Sequence, residues 1–449
     1  MKKILLSAFA LVISSSAFSQ YWSTQNTAFT TPSRGISGME VYDANTVWAF
    51  AYDGSSSTNN IQEFTKTSNG GTTWTSGTIN LGDPDLTITN ISGVSSTTAW
   101  VGALLSTPSD GLGAVYKTVN GGVTWTAQQP FESAGESYLN FVHAIDANNV
   151  VAGGDPQGGE FELYTTSNGG TSWTRVPFAN VPNPLSGEYG YNAGYYGVGN
   201  NIFFYTNKGR IYKSTDKGLT WTIAFTGSTF SLADFGGANV NGDMAWSDAN
   251  RGLVIKKNSL GGTPTGLAIY RTTDGGTNWS TVTFTGITAA SNISDITYVP
   301  GTNILVATSA SQTTGGSWKS LDNGSTWTAL DTGVQHLGVR CSDANTCYSG
   351  GFNTSATVGG MFKSAQTLGV KDVSNIKNAL SVHPNPTKGE INIRTDKKIK
   401  SSTVIDLSGK VLLQTSSEKV DISSFTKGIY LLKVEFADGS TKTEKIIKN

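Results

Sequence analysis

The chain of 449 residues has little charge, little cysteine and few long apolar runs. Only 14% of its residues are charged, and no long stretch repeats apolar residues at helical spacing. No stripe of basic residues interleaved with aromatic residues occurs, so we expect no nucleic-acid partner. Beyond the first 19 residues, no segment approaches the ~20 apolar residues that a membrane helix needs. We therefore expect no membrane span.

The one marked apolar run stands at the N-terminus. Lys2 and Lys3 precede the apolar segment Ile4–Ile13, and the small-residue segment Ala17-Phe18-Ser19 follows. This order is typical of a secretory signal peptide. We predict a signal peptide over residues 1–19 with cleavage after Ser19, and no lipid anchor because no cysteine follows the apolar run.

Only two cysteines occur, in the stretch CSDANTC. Cys341 and Cys347 flank a tight turn between two β-like runs, so they are expected to lie opposite each other in a hairpin. In an exported protein this favours a local disulfide, and the alternative is a pair of half-buried thiols. A C-x5-C pair is not typical of a metal site, so we predict no metal here.

Glycine, by contrast, is abundant at 53 residues, and turn residues separate short runs rich in Thr, Val and aromatic residues. This composition indicates an all-β protein. One motif recurs six times, as TSNGGTTW (67–74), TVNGGVTW (118–125), TSNGGTSW (166–173), STDKGLTW (214–221), TTDGGTNW (272–279) and SLDNGSTW (320–327). The successive tryptophans are 51, 48, 48, 58 and 48 residues apart. A period near 50 in a β-rich chain is typical of propeller blades or a solenoid array.

These motifs resemble the Asp-box, or BNR, repeat of sialidases, some xyloglucanases, sortilin-type receptors and photosystem assembly factors. The resemblance implies a β-propeller over residues 20–364. We predict seven blades, with six or eight as the alternatives. The segment Trp22–Phe29 resembles the strands that follow the motifs, so we expect it to complete the last blade and close the ring, which removes two exposed sheet edges.

The end of the chain has a different character. A polar linker at 365–379 leads into residues 380–449, which alternate in short strands and are predicted to form a small β-sandwich. This segment resembles the C-terminal sorting domain of the Bacteroidetes type IX (Por) secretion system. The resemblance is carried by Pro384-Asn385-Pro386, Gly389, Asp406, Gly409-Lys410, Gly428-Ile429-Tyr430 and Lys445-Ile446-Ile447. It implies the type IX machinery as a partner, passage across the outer membrane, removal of this domain, and then either release or attachment to surface lipopolysaccharide.

The acidic position of the motif has two interpretations. A calcium loop needs several carboxylates, whereas each motif offers at most one, and three motifs replace it with asparagine. An Asx-turn needs only a hydrogen-bond acceptor, which both residue types supply. We therefore predict a structural role, with no metal and no cofactor, for the motif residues Asn69, Asn120, Asn168, Asp216, Asp274, Asp322, Trp74, Trp125, Trp173, Trp221, Trp279 and Trp327.

An enzyme is the alternative to a binding protein. A sialidase is disfavoured because arginine is scarce and the Phe/Tyr-Arg-Ile-Pro motif is absent. Another glycoside hydrolase needs two carboxylates ~5–9 Å apart. Candidates are Glu132, Glu136, Asp155, Glu160, Glu162, Asp234 and Asp243. Taken singly, each fits a solvated loop carboxylate as well, and His143 fits a structural residue of an inner strand.

The stretch GEYGYNAGYYGVGNN contains four tyrosines, Tyr189, Tyr191, Tyr195 and Tyr196. They could stack on sugars or form a protein hot spot, or they could pack within an inner strand. An insertion near residues 257–267 offers a second candidate binding loop. We expect a secreted or surface-located protein that binds a glycan or an extracellular protein, with Asp234 and Asp243 as further candidate binding residues. No catalytic residue is assigned.

Overall fold

The structure is a computed structural model that describes residues 20–56, 58–105, 113–130, 138–225, 240–260, 263–368, 380–395, 397–437 and 441–449. The chain divides into two compact units, with the boundary between Gly369 and Val370. The predicted signal peptide lies outside the described residues, as do residues 369–379 of the predicted linker. The predicted domain limits stay predictions.

The first unit is built from antiparallel strands. In chain order they are β1 (Trp22–Asn26), β2 (Arg34–Val41), β3 (Val47–Asp53), β4 (Glu63–Thr67), β5 (Thr75–Thr78), β6 (Leu86–Gly93), β7 (Ala99–Leu105), β8 (Gly113–Thr118), β9 (Thr126–Gln128), β10 (Leu139–Ala144), β11 (Val150–Gln157), β12 (Glu160–Thr166), β13 (Thr174–Arg175), β14 (Gly190–Val198), β15 (Asn201–Thr206), β16 (Ile211–Ser214), β17 (Thr222–Phe225), β18 (Val240–Trp246), β19 (Gly252–Leu260), β20 (Thr263–Thr272), β21 (Ser280–Thr281), β22 (Asp295–Tyr298), β23 (Leu305–Ser309), β24 (Gly316–Ser320), β25 (Thr328–Thr332), β26 (Val339–Asp343), β27 (Thr346–Ser355) and β28 (Val358–Ser364). Short 3-10 turns lie at Phe178–Asn180 and Ala289–Ser291.

Consecutive strands pair into four-stranded sheets. Five such sheets are β6–β9, β10–β13, β14–β17, β18–β21 and β22–β25. The remaining strands form one eight-stranded sheet, in which β2–β5 and the group β26, β27, β28 and β1 are joined by a single residue pair, Gly35 opposite Phe352. The first strand of each sheet contacts the first strand of the next, and β26 contacts β2. This circular arrangement is a β-propeller, which confirms the predicted fold class, while the count of seven blades stays a prediction.

The N-terminal strand β1 completes the last group of strands. It pairs antiparallel with β28, with Trp22 opposite Ser364 and Asn26 opposite Gly360. This is the pairing predicted for the segment Trp22–Phe29. Strands from the two ends of the unit therefore share one sheet, so the ring is closed by backbone hydrogen bonds and not only by side-chain packing.

A basic residue in the third strand of most sheets links neighbouring sheets. Lys117 Nζ donates to the carbonyl oxygen of Gly169 at 2.6 Å, and Arg271 Nη1 donates to that of Asn323 at 3.2 Å. Lys363 Nζ donates to the carbonyl oxygen of Gly70 at 2.6 Å and so links the last strands to the first motif. The repeated basic position is therefore part of the framework.

The two cysteines face each other across the β26–β27 hairpin. Cys341 is the register partner of Cys347, and the structure joins them in a disulfide. The Asp343 carboxylate closes the intervening turn by accepting from the Asn345 backbone N–H at 2.7 Å.

The insertion near residues 257–267 forms part of a longer hairpin. The described part of it lengthens β19 and β20, with Asn258 opposite Gly266 and Ser259 opposite Pro264. The ladder supplies hydrogen-bond partners to backbone groups that a free loop would leave to solvent. The spacing of the motifs does not distinguish a longer hairpin from a longer loop, and a binding role for this segment stays a prediction.

The second unit contains two sheets. Its strands are β29 (Ser381–His383), β30 (Glu390–Arg394), β31 (Ile399–Ile405), β32 (Val411–Thr415), β33 (Lys419–Asp421), β34 (Gly428–Phe436) and β35 (Thr441–Lys448). One sheet has the order β29-β30-β33 and the other β32-β31-β34-β35. Ile391 and Val420 of the first sheet are buried together with Val404 and Leu432 of the second. The unit is the small β-sandwich that the sequence predicted.

Candidate functional site

The six repeated motifs form the same hydrogen-bonded turn. In the first motif, Asn69 Oδ1 accepts from the Thr73 N–H at 2.9 Å, and Asn69 Nδ2 donates to Thr73 Oγ1 at 2.8 Å. In the fourth motif, Asp216 Oδ1 accepts from the Thr220 N–H at 2.9 Å, and Asp216 Oδ2 accepts from Thr220 Oγ1 at 2.6 Å. The threonine hydroxyl can donate or accept, so both residue types fit the turn.

The glycine at the fifth position of each motif is required by the backbone. Its φ is 83° in Gly71 and 93° in Gly276, a region that side chains rarely adopt. A Cβ atom at Gly122 would lie 2.1 Å from the ring of Phe64 in the neighbouring sheet. The motif tryptophans pack in the same zone, as shown by the 5.8 Å between the ring centroids of Trp125 and Phe64. The motifs therefore connect neighbouring sheets.

We expect Asp216→Ala to lower the free energy of unfolding by about 1–2 kcal/mol, because several turn hydrogen bonds are lost. Asp216→Asn should cost less than about 0.5 kcal/mol, since asparagine makes the equivalent bonds in the first motif. Urea denaturation of the full chain measures both values. A chelator that lowers the melting temperature of the wild-type protein would contradict this structural role and indicate a bound cation.

The structure separates the four tyrosines into two pairs. Tyr189 and Tyr191 lie at the start of β14, with Tyr189 46% exposed. Their ring centroids are 5.8 Å apart and nearly perpendicular, and Tyr191 is 5.5 Å from Tyr205. Tyr195 and Tyr196 lie at the other end of β14 and face the central channel. The tetrad is therefore not one binding surface.

The first pair lines an open pocket that we call the tyrosine pocket. It has a volume of about 590 Å³ and is lined by Tyr138, Asp155, Tyr189, Gly190, Tyr191, Asn192 and Tyr205. Asp155 Oδ1 accepts from Asn140 Nδ2 at 2.8 Å and from the Gly190 N–H at 2.9 Å, which fixes the carboxyl group. Burial raises the pKa of Asp155. Asn192 Nδ2 donates to the Tyr138 hydroxyl at 3.2 Å. Aromatic faces and fixed polar groups are thus combined in one concave surface.

The second pair is packed into the framework of the channel. The Tyr195 ring stacks on Phe141 with a centroid distance of 5.0 Å, and its hydroxyl accepts from Asn90 Nδ2 at 3.1 Å. The Tyr196 hydroxyl lies 2.9 Å from Thr297 Oγ1 and accepts from the Tyr298 N–H at 3.3 Å. These contacts cross from sheet to sheet, so Tyr195 and Tyr196 position the inner strands as well as lining the channel.

Asp243, a candidate from the sequence, lies on β18 beside Asp295 of β22. Burial and the neighbouring Asp295 raise the pKa of Asp243 well above its usual value. Burial opposes ionisation of Asp295 as well, but the Arg340 guanidinium nevertheless lowers its pKa. Arg340 Nη1 lies 3.0 and 2.9 Å from the two Asp295 oxygens. Asp243 is therefore the protonated partner and Asp295 the ionised one.

The Asp243–Asp295 pair is too close for a glycosidase. The two carboxyl groups are within hydrogen-bonding distance of each other, and the Ile296 N–H donates to both. A retaining glycosidase holds its carboxyl groups about 5 Å apart and an inverting one farther still, so that the glycosidic bond fits between them.

The central channel contains Glu40 of β2 and His143 of β10. Burial raises the pKa of Glu40 to about 7, against the opposing effect of Arg340. Burial lowers the pKa of His143 to about 4, so this imidazole is neutral at pH 7. A neutral, buried His143 agrees with the structural role that the sequence favoured.

The other candidate carboxylates that the structure describes do not form a pair with each other. Glu160 lies 3.8 Å from Arg175 at a partly exposed sheet edge, and Glu162 is buried within β12. Glu132, Glu136 and Asp234 lie outside the described residues.

Sequence reasoning did not select Glu40, Asp295, Tyr138 or Tyr205. The sequence does contain a pattern that marks some of the residues that line the channel. Glu40, His143 and Arg340 each stand three residues before an aspartate, Asp43, Asp146 and Asp343, that caps the following turn. This position faces the channel in all three strands. Asp295 carried no comparable signal.

Comparison with known proteins identifies the C-terminal part. Residues 381–449 match the secretion system C-terminal sorting domain. The chain is thus a β-propeller protein that ends in a type IX (Por) sorting domain. It is exported by the type IX pathway to the cell surface or released. No protein of curated function matches the sequence. In the described part of the chain, no helix is long and apolar enough to cross a membrane.

Solved structures share the propeller fold. YCF48 from Cyanidioschyzon merolae is 14% identical with a TM-score of 0.50, over 77% of this chain and 98% of that one. YCF48 bound to D1 peptide is 14% identical with a TM-score of 0.49, over 77% and 97%. The GH74 xyloglucanase from Xanthomonas campestris is 13% identical with a TM-score of 0.49, over 93% and 59%. At these identities the YCF48 match supports the fold and carries no activity or ligand over to this chain.

Proposed function

We propose that this exported β-propeller binds an extracellular glycan at the tyrosine pocket and does not cleave it. The main support for this proposal is that tyrosine rings surround a carboxyl group, held by hydrogen bonds, in an open pocket. The flat face of a pyranose can stack on an aromatic ring, while its hydroxyl groups bond to carboxylate and amide side chains. Both kinds of group are present within one surface of suitable size.

The lining of the pocket favours binding over hydrolysis. Asp155 is the one carboxyl group among the described residues that line it. Glycoside hydrolysis by the common mechanisms needs two carboxyl groups on either side of the bond. A single carboxyl group can orient a sugar but cannot act as both acid and nucleophile.

The pocket is also pre-organised. Asp155 is held by two hydrogen bonds, Tyr191 packs on Tyr205, and Asn192 bonds to Tyr138. Little side-chain entropy remains to be lost when a ligand binds, which favours useful affinity from a small contact area. A protein ligand would need a larger contact surface than this pocket provides.

The full chain should be incubated with a panel of neutral and acidic polysaccharides, with retention and released reducing sugar measured in the same samples. We expect retention by at least one polysaccharide and no reducing sugar above the blank. Absence of retention across the panel would refute glycan binding. Reducing sugar that the wild-type protein releases, and a variant with a substituted acidic pair does not, would establish the alternative of a glycoside hydrolase.

A further inference from the structure

The central channel contains a second cavity, separate from the tyrosine pocket. It has a volume of about 580 Å³ and is lined by residues of several inner strands, among them Glu40, His143, Tyr195, Tyr196 and Arg340. It shares no lining residue with the tyrosine pocket. The two cavities are therefore separate candidate sites.

The positive charge in this cavity is already balanced. Arg340 ion-pairs with Asp295 at 2.9 Å, and its Nη1 also donates to the Val339 carbonyl oxygen at 2.7 Å. The Val339 N–H donates to Asp295 at 2.7 Å and holds the carboxylate in place. An anionic ligand would have to compete with Asp295 for Arg340, so the cavity is poorly suited to a carboxylate or phosphate group.

The negative charge is not balanced in the same way. Within the described residues, the Glu40 carboxyl group makes no hydrogen bond and no ion pair, although it is partly buried and lines the cavity. Arg340 interacts with it electrostatically but does not come within 4 Å as an ion-pair partner. A desolvated carboxylate without a partner is costly, and a cation placed beside it removes that cost.

We propose that the channel binds a ligand through a primary ammonium group that ion-pairs with Glu40. Glu40 is half-buried and lines the cavity, so a ligand in the cavity can reach its carboxyl group. The geometry leaves space for the group, because the cavity exceeds the size of a lysine side chain. The ammonium group can come from a lysine side chain or from a free polyamine.

Binding to the full chain is measured by calorimetry at pH 8 with two probes, Nα-acetyl-lysine amide and putrescine. Their N-acetylated forms, in which every amine is blocked, are the matched neutral probes. We expect at least one cationic probe to bind, its acetylated form to bind at least tenfold more weakly, and Glu40→Gln to weaken the cation at least tenfold. Which probe binds distinguishes a peptide side chain from a polyamine.

Asp43→Asn is the matched control, since Asp43 is an exposed acid in the turn after Glu40 and does not line the cavity. It should leave affinity unchanged. The proposal is refuted if neither cation binds the wild-type protein, if Glu40→Gln binds as tightly as wild type, or if the acetylated probes bind equally well. Glu40→Gln is isosteric, and its fold is checked by circular dichroism.

The same binding should depend on pH. The ligand selects the ionised form of Glu40, whose raised pKa lies at about 7. The groups facing it are Arg340, Tyr195 and the neutral His143, with Asp146 at the rim. Affinity should rise roughly tenfold between pH 6 and pH 8, while a lysine amine stays charged over this range. A flat profile in the wild-type protein would count against Glu40 as the anchor.

Discussion

The double variant Tyr189→Ala/Tyr191→Ala is expected to lose about 100-fold in affinity for the polysaccharide that the wild-type protein binds. Each ring of an aromatic binding surface contributes on the order of 1–2 kcal/mol, and about 2.7 kcal/mol in total corresponds to 100-fold. Tyr189 is about half exposed and Tyr191 is partly exposed, so the stability of the double variant is checked by urea denaturation beside its affinity. Affinity electrophoresis or calorimetry on the purified full chain measures the loss.

Two further variants define the contribution of the pocket. Tyr189→Phe keeps the ring and should bind within about twofold of wild type, which separates stacking from hydroxyl bonding. Phe178→Ala removes an aromatic residue that is 63% exposed and lies outside the pocket, so it should bind as wild type does. If the double variant retains wild-type affinity, the tyrosine pocket is not the glycan site.

Trp22→Ala is expected to lower the free energy of unfolding by about 3–5 kcal/mol. Trp22 is 1% exposed, and its Nε1 donates to Ser317 Oγ of strand β24 at 2.7 Å. Its ring packs against Tyr21 and His336. The substitution leaves a cavity at the place where the N-terminal strand joins the last sheet, so the ring closure itself is weakened.

Urea denaturation followed by tryptophan fluorescence and by circular dichroism measures this effect. Thr24→Ala is the matched control, because Thr24 lies on the same strand with an exposed side chain, and it should stay within about 0.5 kcal/mol of wild type. A loss below about 1 kcal/mol in Trp22→Ala would show that β1 contributes little to closure.

The sequence predicted the tyrosine pocket only in part. The glycine-rich cluster directed attention to Tyr189 and Tyr191, but it grouped them with Tyr195 and Tyr196, which the structure places in the channel wall. A register shift between Gly190 and Tyr195 changes which way the strand faces along its length. Simple alternation along one strand does not reveal such an irregularity.

The sequence did not predict which other residues line the tyrosine pocket, for a related reason. Tyr138 precedes β10 of the neighbouring sheet, and Tyr205 lies on β15, which pairs with β14, so they reach the pocket through sheet packing and through strand pairing. Asp155 was one of seven candidate carboxylates. Its selection depends on two hydrogen bonds, to Asn140 and Gly190, that come from two different sheets.

The sequence by itself determined the repeated turns, the closing strand and the sorting domain. These features rest on interactions within a few residues, such as the bonds of Asn69 or Asp216 to a threonine four positions on, or on motifs that recur at a regular period. Only the tertiary structure decided the contents of the channel. Glu40, Asp243, Asp295 and Arg340 stand far apart in the chain and interact because the inner strands meet around one axis. Their protonation follows from burial and from each other's charge, which no local pattern encodes.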